Sequence, residues 1–120
     1  MQENAPQAGV NDIVGIKNLE AEFDVELAKE LAQAYLDDTD SIIEKMQAAL
    51  DADDKEALRS SAHMLKGCSR ALQAWKCEQA SSLLESDARD GNMEFARNNF
   101  PDVVEAFTQT KAILQQYLLS

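Results

Sequence analysis

Between Asp24 and about Ala52 the apolar residues Leu27, Leu31, Tyr35, Ile42, Met46 and Leu50 recur at close to a helical period. A stripe sustained over that length predicts one long amphipathic helix, and it sets the scale of everything packed against it. Asp24 stands where an N-cap is needed, and Glu26 adds negative charge in the first turn, where it complements the helix dipole. The acidic run Asp37-Asp38-Thr39-Asp40 interrupts the stripe near its middle, as a solvated face or as a weak point where the helix bends. Asp51-Ala52-Asp53-Asp54 closes the helix and offers a cap for the next one. With only four glycines and two prolines in 120 residues, a turn-rich β architecture is disfavoured and long helices are expected.

The remaining segments follow the same pattern. Met1 to Gly9 is polar, contains Pro6 and Gly9, and reads as a flexible tail, leaving residues 10–120 as the folded unit. Asn11 to Glu22 is expected to form a short first helix through Ile13, Ile16 and Leu19, although Gly15 weakens it. A helix over roughly Lys55–Ala74 is followed by one over Trp75–Arg89, with Cys77, Ala80, Leu83 and Leu84 on one side. Asp90-Gly91-Asn92 is a turn, and Met93–Leu119 carries a broad stripe of Phe100, Val103, Phe107, Ile113, Leu114, Tyr117 and Leu118. Pro101 lies inside that stripe, so a kink or a restart is expected near Asn99. Four substantial helices with short connections predict an all-α, antiparallel up-and-down four-helix bundle with a short additional N-terminal helix.

Acidic residues outnumber basic ones by 22 to 11, for a formal net charge of −11. Nucleic acid and anionic membranes are poor partners for such a chain, because both are polyanions. The N-terminus lacks a basic region followed by an apolar one, so a cytoplasmic protein is expected, with Cys68 and Cys77 as reduced thiols. No cysteine–histidine grouping has the spacing of a metal site.

The chain has one histidine, His63, within Ala62-His63-Met64-Leu65-Lys66-Gly67-Cys68-Ser69. At about 100° per residue, Leu58, Ala62, Leu65, Ser69 and Leu72 fall within an arc of roughly 80°, which is the core face. His63 points about 150° from its centre and is expected in solvent. Arg59, Lys66 and Arg70 share one flank of the ring, the first two as direct neighbours one turn away. The other flank carries Ser60, Gly67, Ala71 and Ala74, so the backbone at Gly67 is bare one turn from the imidazole. A glycine inside a helix costs about 1 kcal/mol against alanine, which is understandable if another molecule must press close.

An imidazole suits phosphoryl carriage because its ordinary pKa of about 6.5 leaves a neutral, nucleophilic nitrogen at pH 7. A phosphoryl group on it brings nearly two negative charges, which Lys66 can screen through a charge-assisted hydrogen bond. The sequence has no glycine-rich nucleotide loop, paired carboxylates or triad, which argues for holding a phosphoryl group and against drawing one from ATP autonomously. Each feature also has a plainer reading: a surface histidine, a solvated basic edge, and a glycine that lets two helices pack closely.

Ala62-His63-Met64-Leu65-Lys66-Gly67-Cys68-Ser69-Arg70-Ala71-Leu72 resembles the signature of histidine-containing phosphotransfer (HPt) domains, and the likeness extends over roughly Ile16 to Leu119. The resemblance implies that residues 10–120 are such a domain, a phosphohistidine intermediate that shuttles a phosphoryl group between receiver-domain aspartates in a multistep phosphorelay. It implies His63 as phosphoacceptor on its outward ring nitrogen, Lys66 as phosphoryl contact, Gly67 as the opening for the receiver, and Ser69 as a structural position. Arg59 and Arg70 are auxiliary charges read from the helical wheel alone. The implied partners are response-regulator receiver domains, a hybrid sensor histidine kinase, or both, and the implied state is a monomer with no nucleic-acid or membrane contact. No cofactor is expected in this chain, and Mg2+ is expected only in the partner receiver. Ile13, Ile16 and Phe23 are candidates for an apolar docking patch, or else for a cap on the open end of the bundle. The sequence departs from the family at Gln73, where a second glycine is usual; this changes how the helix ends or how the next one approaches. The alternative to a relay protein is a bundle adaptor that binds receiver or kinase domains without being phosphorylated.

Overall fold

The structure, a computed structural model, describes residues 9–120. All but the last residue of the expected tail, Met1 to Gly9, thus lies outside the described residues. Six helices follow in order: α1 (Val10–Ile13), α2 (Ile16–Glu22), α3 (Val25–Asp51), α4 (Lys55–Ala71), α5 (Trp75–Arg89) and α6 (Met93–Leu119). Helices α3 to α6 form an up-and-down four-helix bundle, each packed on its sequence neighbour and α3 closing the ring against α6.

The three connections within the bundle repeat one device. Asp53, Gln73 and Gly91 each take a left-handed backbone, at φ of 54°, 61° and 76°. In each case the next amide turns back to a carbonyl five residues earlier: Asp54 to Ala49, Ala74 to Ser69, and Asn92 to Asp87, all at 2.8 Å. This is the Schellman ending, and the residue that completes it is at once the N-cap of the following helix. Asp54 and Asn92 cap with their side chains, accepting from the amides of Ala57 and Phe95. Helix α4 therefore stops at Ala71, short of the expected Ala74, and Gln73 does not extend it but occupies the left-handed position.

Helix α3 is unbroken through the acidic run. Its buried face is Ala28, Ala32, Tyr35, Thr39, Ile42, Met46 and Ala49, spaced alternately by four and three residues, the seam of a bundle helix. The stripe therefore runs through the gap at Thr39, whose hydroxyl donates to the Tyr35 carbonyl at 2.6 Å and so enters the core satisfied. At the start of the helix small alanines carry the seam, while Leu27 is exposed and Leu31 half-buried, contrary to the periodicity read from the leucines. On α5 the buried residues are Cys77, Ser81, Leu84, Asp87 and Ala88; Leu83 points outward, half exposed, and does not belong to the core side. Helix α6 continues through Pro101 without a restart. Pro101 and Arg97, whose carbonyl loses its partner, both lie on the exposed side, where water can replace the missing bond.

The first helix expected over Asn11–Glu22 is two short ones, separated at Val14-Gly15. The Gly15 amide donates to the Gln73 carbonyl at 2.9 Å, and a Cβ there would stand 3.0 Å from the Trp75 indole nitrogen. This close approach breaks the helix. Ile13, Val14 and Leu19 are buried, so this segment closes the end of the bundle, and Ile13 is unavailable as a docking residue. Ile16 and Phe23 are half-buried against the same core. No helix among the described residues is long and apolar enough to cross a membrane.

Candidate functional site

Helix α4 turns its inner face, Leu58, Ala62, Leu65 and Ser69, wholly into the core. A polar node fixes this rotation. The Tyr35 hydroxyl of α3 lies 3.0 Å from the Ser69 hydroxyl and donates to the Cys77 sulfur of α5 at 3.5 Å. Burial, reinforced by Cys77, pushes the Tyr35 phenol far up, so it stays neutral and available as a donor. Three helices are thus tied at one level, and rotation of α4 about its axis would break the contact between Tyr35 and Ser69. Cys68, next to Ser69, is half-buried with a thiol pushed up by burial and by Asp38; Cys77 is buried, and both are free.

With that face inward, His63 emerges on the opposite side, its side chain 66% exposed. Its Nδ1 lies 2.8 Å from Oε2 of Glu85 on α5, and Lys66 Nζ lies 2.6 Å from Oε1 of the same carboxylate. Partial burial pushes the Glu85 carboxyl upward, but the hydrogen bonds and charges of Lys66 and His63 outweigh it, leaving Glu85 below its ordinary value. Glu85 is therefore an ionised acceptor. An ionised carboxylate cannot donate, so the proton between the two groups belongs to Nδ1, and in the neutral ring the lone pair is on Nε2. The ring is held at one nitrogen and presents a nucleophile at the other.

The flank expected to be electropositive is largely neutralised. Arg59 Nε pairs with Glu56 at 3.3 Å, Arg70 Nε pairs with Glu78 at 2.7 Å, and Lys66 pairs with Glu85. Arg59 and Arg70 are held by carboxylates of α4 and α5, and neither is hydrogen-bonded to the ring. Lys66, 20% exposed, lies nearest the histidine's carboxylate and keeps two further N–H donors beyond this ion pair. On the other flank a Cβ built on Gly67 would meet no atom within 4 Å. Close helix packing therefore does not explain this glycine, since the space beside it is open.

Glu85 escaped the reading of the sequence, although a signal for it existed. His63 and Glu85 stand eleven residues either side of Ala74, and Arg70 and Glu78 four either side. In an antiparallel hairpin turning at Ala74 such pairs face each other. Among the described residues no group of three or more His, Cys, Asp or Glu side chains is placed to hold a metal ion.

Comparison with known proteins agrees with this architecture. A family model described as "Hpt domain" matches residues 30–117. The crystal structure of histidine-containing phosphotransfer protein B (HptB) from Pseudomonas aeruginosa PAO1 is similar in fold, with a TM-score of 0.80 over 97% of each chain at 24% identity. No curated protein sequence matches.

Proposed function

The chain belongs to the Hpt domain family, and from that premise we propose that His63 is its phosphoacceptor, at Nε2. A histidine-containing phosphotransfer domain shuttles phosphoryl groups between receiver domains, and receiver and kinase domains are its general partners. For this chain we assign the finer roles as follows. Lys66 contacts the phosphoryl group with the donors its ion pair leaves free. Gly67 opens the surface to the receiver, and Ser69 holds the rotation of α4 through Tyr35. Arg59 and Arg70, tied to glutamates, moderate the surrounding field without touching the phosphoryl group. The folded domain is residues 10–120. It acts in the cytoplasm as a monomer, with response-regulator receivers, a hybrid sensor kinase or both as partners, and any Mg2+ belongs to the receiver.

The observation that carries the reading is the histidine itself: anchored at Nδ1, free at Nε2 and 66% exposed beside an open glycine. Transfer of a phosphoryl group needs an in-line approach and charge neutralisation, and this arrangement offers both. The test is phosphorylation by a loaded receiver domain. One acid-labile, alkali-stable phosphoryl group is expected on the native chain and none on His63→Gln; undiminished labelling of that variant refutes the assignment. Receiver binding without any labelling of the native chain would favour the adaptor reading instead.

A further inference from the structure

Helix α5 has a flank on either side of its buried seam, and only one of them faces the histidine. Glu85 and Leu83 are two residues apart, so they point about 160° away from each other. Glu85 faces α4 and His63, whereas Leu83, 50% exposed, stands at a groove between α5 and α6. The floor of that groove is Ala80 and Ala106, whose short side chains let it sink between the two helices. Asp102 and Glu105, both exposed, form its α6 rim. Asn99 and Asp102 belong to a row on α6 that continues one turn back to Phe95, 55% exposed. A leucine and a phenylalanine therefore stand half out of water along one groove, with two carboxylates beside them.

The charge here differs from that around His63. There Glu56, Glu78 and Glu85 each hold a cation. Among the described residues Asp102 and Glu105 make no ion pair. Lys76, at the far end of the groove, donates to the Gln109 side chain at 2.8 Å and pairs with neither carboxylate. The groove thus has an apolar centre and an uncompensated negative rim. A second copy of the chain would bring a net charge of −11 towards that rim. Nucleic acid and anionic membranes would meet the same repulsion. What complements the groove is an apolar ridge flanked by cations.

We propose that the α5–α6 groove docks an amphipathic, arginine-bearing helix of a partner protein and holds it while His63 stays uncovered. The row from Phe95 to Gln109 is about 21 Å long at 1.5 Å per residue, which suits a partner helix of about four turns. Apolar residues three and four apart on that helix cover Leu83 and Phe95, the usual mode of a helix laid in a groove. Asp102 and Glu105 lie one turn apart on α6, so arginines one turn apart on the partner can meet them with paired N–H donors. Because the groove and the histidine lie on opposite sides of α5, the partner tethers the domain without blocking the ring. Anything joined to that partner then meets His63 at a raised local concentration.

The experiment titrates the whole 15N-labelled chain, unphosphorylated, with a synthetic helical peptide of about sixteen residues. The peptide carries leucine at every third or fourth position and arginine beside each leucine; a second peptide has glutamate in place of each arginine. Amide shifts are expected at Ala80, Leu83, Asp102 and Ala106, and none at His63 or Gly67. Leu83→Ala is expected to weaken binding about tenfold, because the exposed half of that side chain is covered only by the partner. Asp102→Asn combined with Glu105→Gln is expected to weaken it about tenfold as well, and to remove most of its dependence on salt. All three side chains are exposed, so the variants keep the fold, which the dispersion of the same spectra checks. Absence of binding, shifts scattered over the acidic surface or centred on α3, or equal affinity for the glutamate peptide overturns the proposal. Self-association of the native chain that Leu83→Ala abolishes overturns it too, giving the groove to a second copy. His63 takes no part in this binding, so none of these results bears on its assignment as phosphoacceptor.

Discussion

Replacing Gly67 with alanine separates stability from function in one substitution. Inside a helix, glycine to alanine stabilises by about 0.8–1.0 kcal/mol when the new methyl meets no obstacle. Here none exists, since a Cβ at this position has no neighbour within 4 Å. For a chain of 120 residues, unfolding entropy of about 2.1 cal/mol/K per residue turns that gain into a Tm rise of about 3–4 °C. The same methyl stands one turn from His63, in the open space proposed as the receiver's approach to the ring. A misplacement of about 1 Å at a reacting centre costs roughly 100-fold in rate, so receiver-driven labelling is expected to slow about 10- to 100-fold. Labelling by phosphoramidate, which needs no docking surface, is expected to stay within about twofold of native. Thermal unfolding by circular dichroism and parallel labelling time courses with the two donors measure these quantities. An unchanged or lower Tm would show that the methyl meets something, and an unchanged receiver-driven rate would remove the role given to the glycine.

Three further outcomes follow from the fold. Gln73→Gly relieves a left-handed backbone worth about 1–2 kcal/mol, partly offset by glycine's greater freedom when unfolded, so Tm is expected to rise by about 2 °C; a fall would contradict the strain argument. Ser69→Ala removes one partner of the buried Tyr35 hydroxyl and is expected to lose about 1–2 kcal/mol in urea unfolding at an unchanged m-value. Both tyrosines of the chain have raised phenol pKa values: burial and Glu20 push Tyr117 up to about 12, and burial with Cys77 pushes Tyr35 higher still. A raised folded value means stability is intact below the unfolded pKa of about 10 and is lost as pH climbs towards about 12. Phenolate absorbance is therefore expected to appear together with loss of helical signal, and a phenolate transition centred near pH 10 in a folded protein would refute it.

What the sequence could and could not disclose divides along the reach of each interaction. The orientation of His63 was legible because it depends on one helix: five apolar or small residues choose the buried face of α4, and the ring's direction follows from fixed geometry. The buried phase of α3 was harder, since Ala28 and Ala32 carry the seam where Leu27 and Leu31 offer more hydrophobic area. Which of two adjacent residues turns inward depends on the neighbouring helices, whose close approach favours the smaller side chain. The exit of α4 was misjudged for a related reason. Gln73 has good helix propensity, yet the Schellman bonds and the contact of its carbonyl with Gly15 override that preference. The charge state of the site was the least legible, because it is set across the α4–α5 hairpin. Seen on one helix, Arg59, Lys66 and Arg70 form a basic edge. Seen with Glu56, Glu78 and Glu85, they form a balanced surface in which Glu85 alone bridges histidine and lysine. A chain with net charge −11 can thus present an exposed histidine, the proposed phosphoacceptor, without a concentrated positive field.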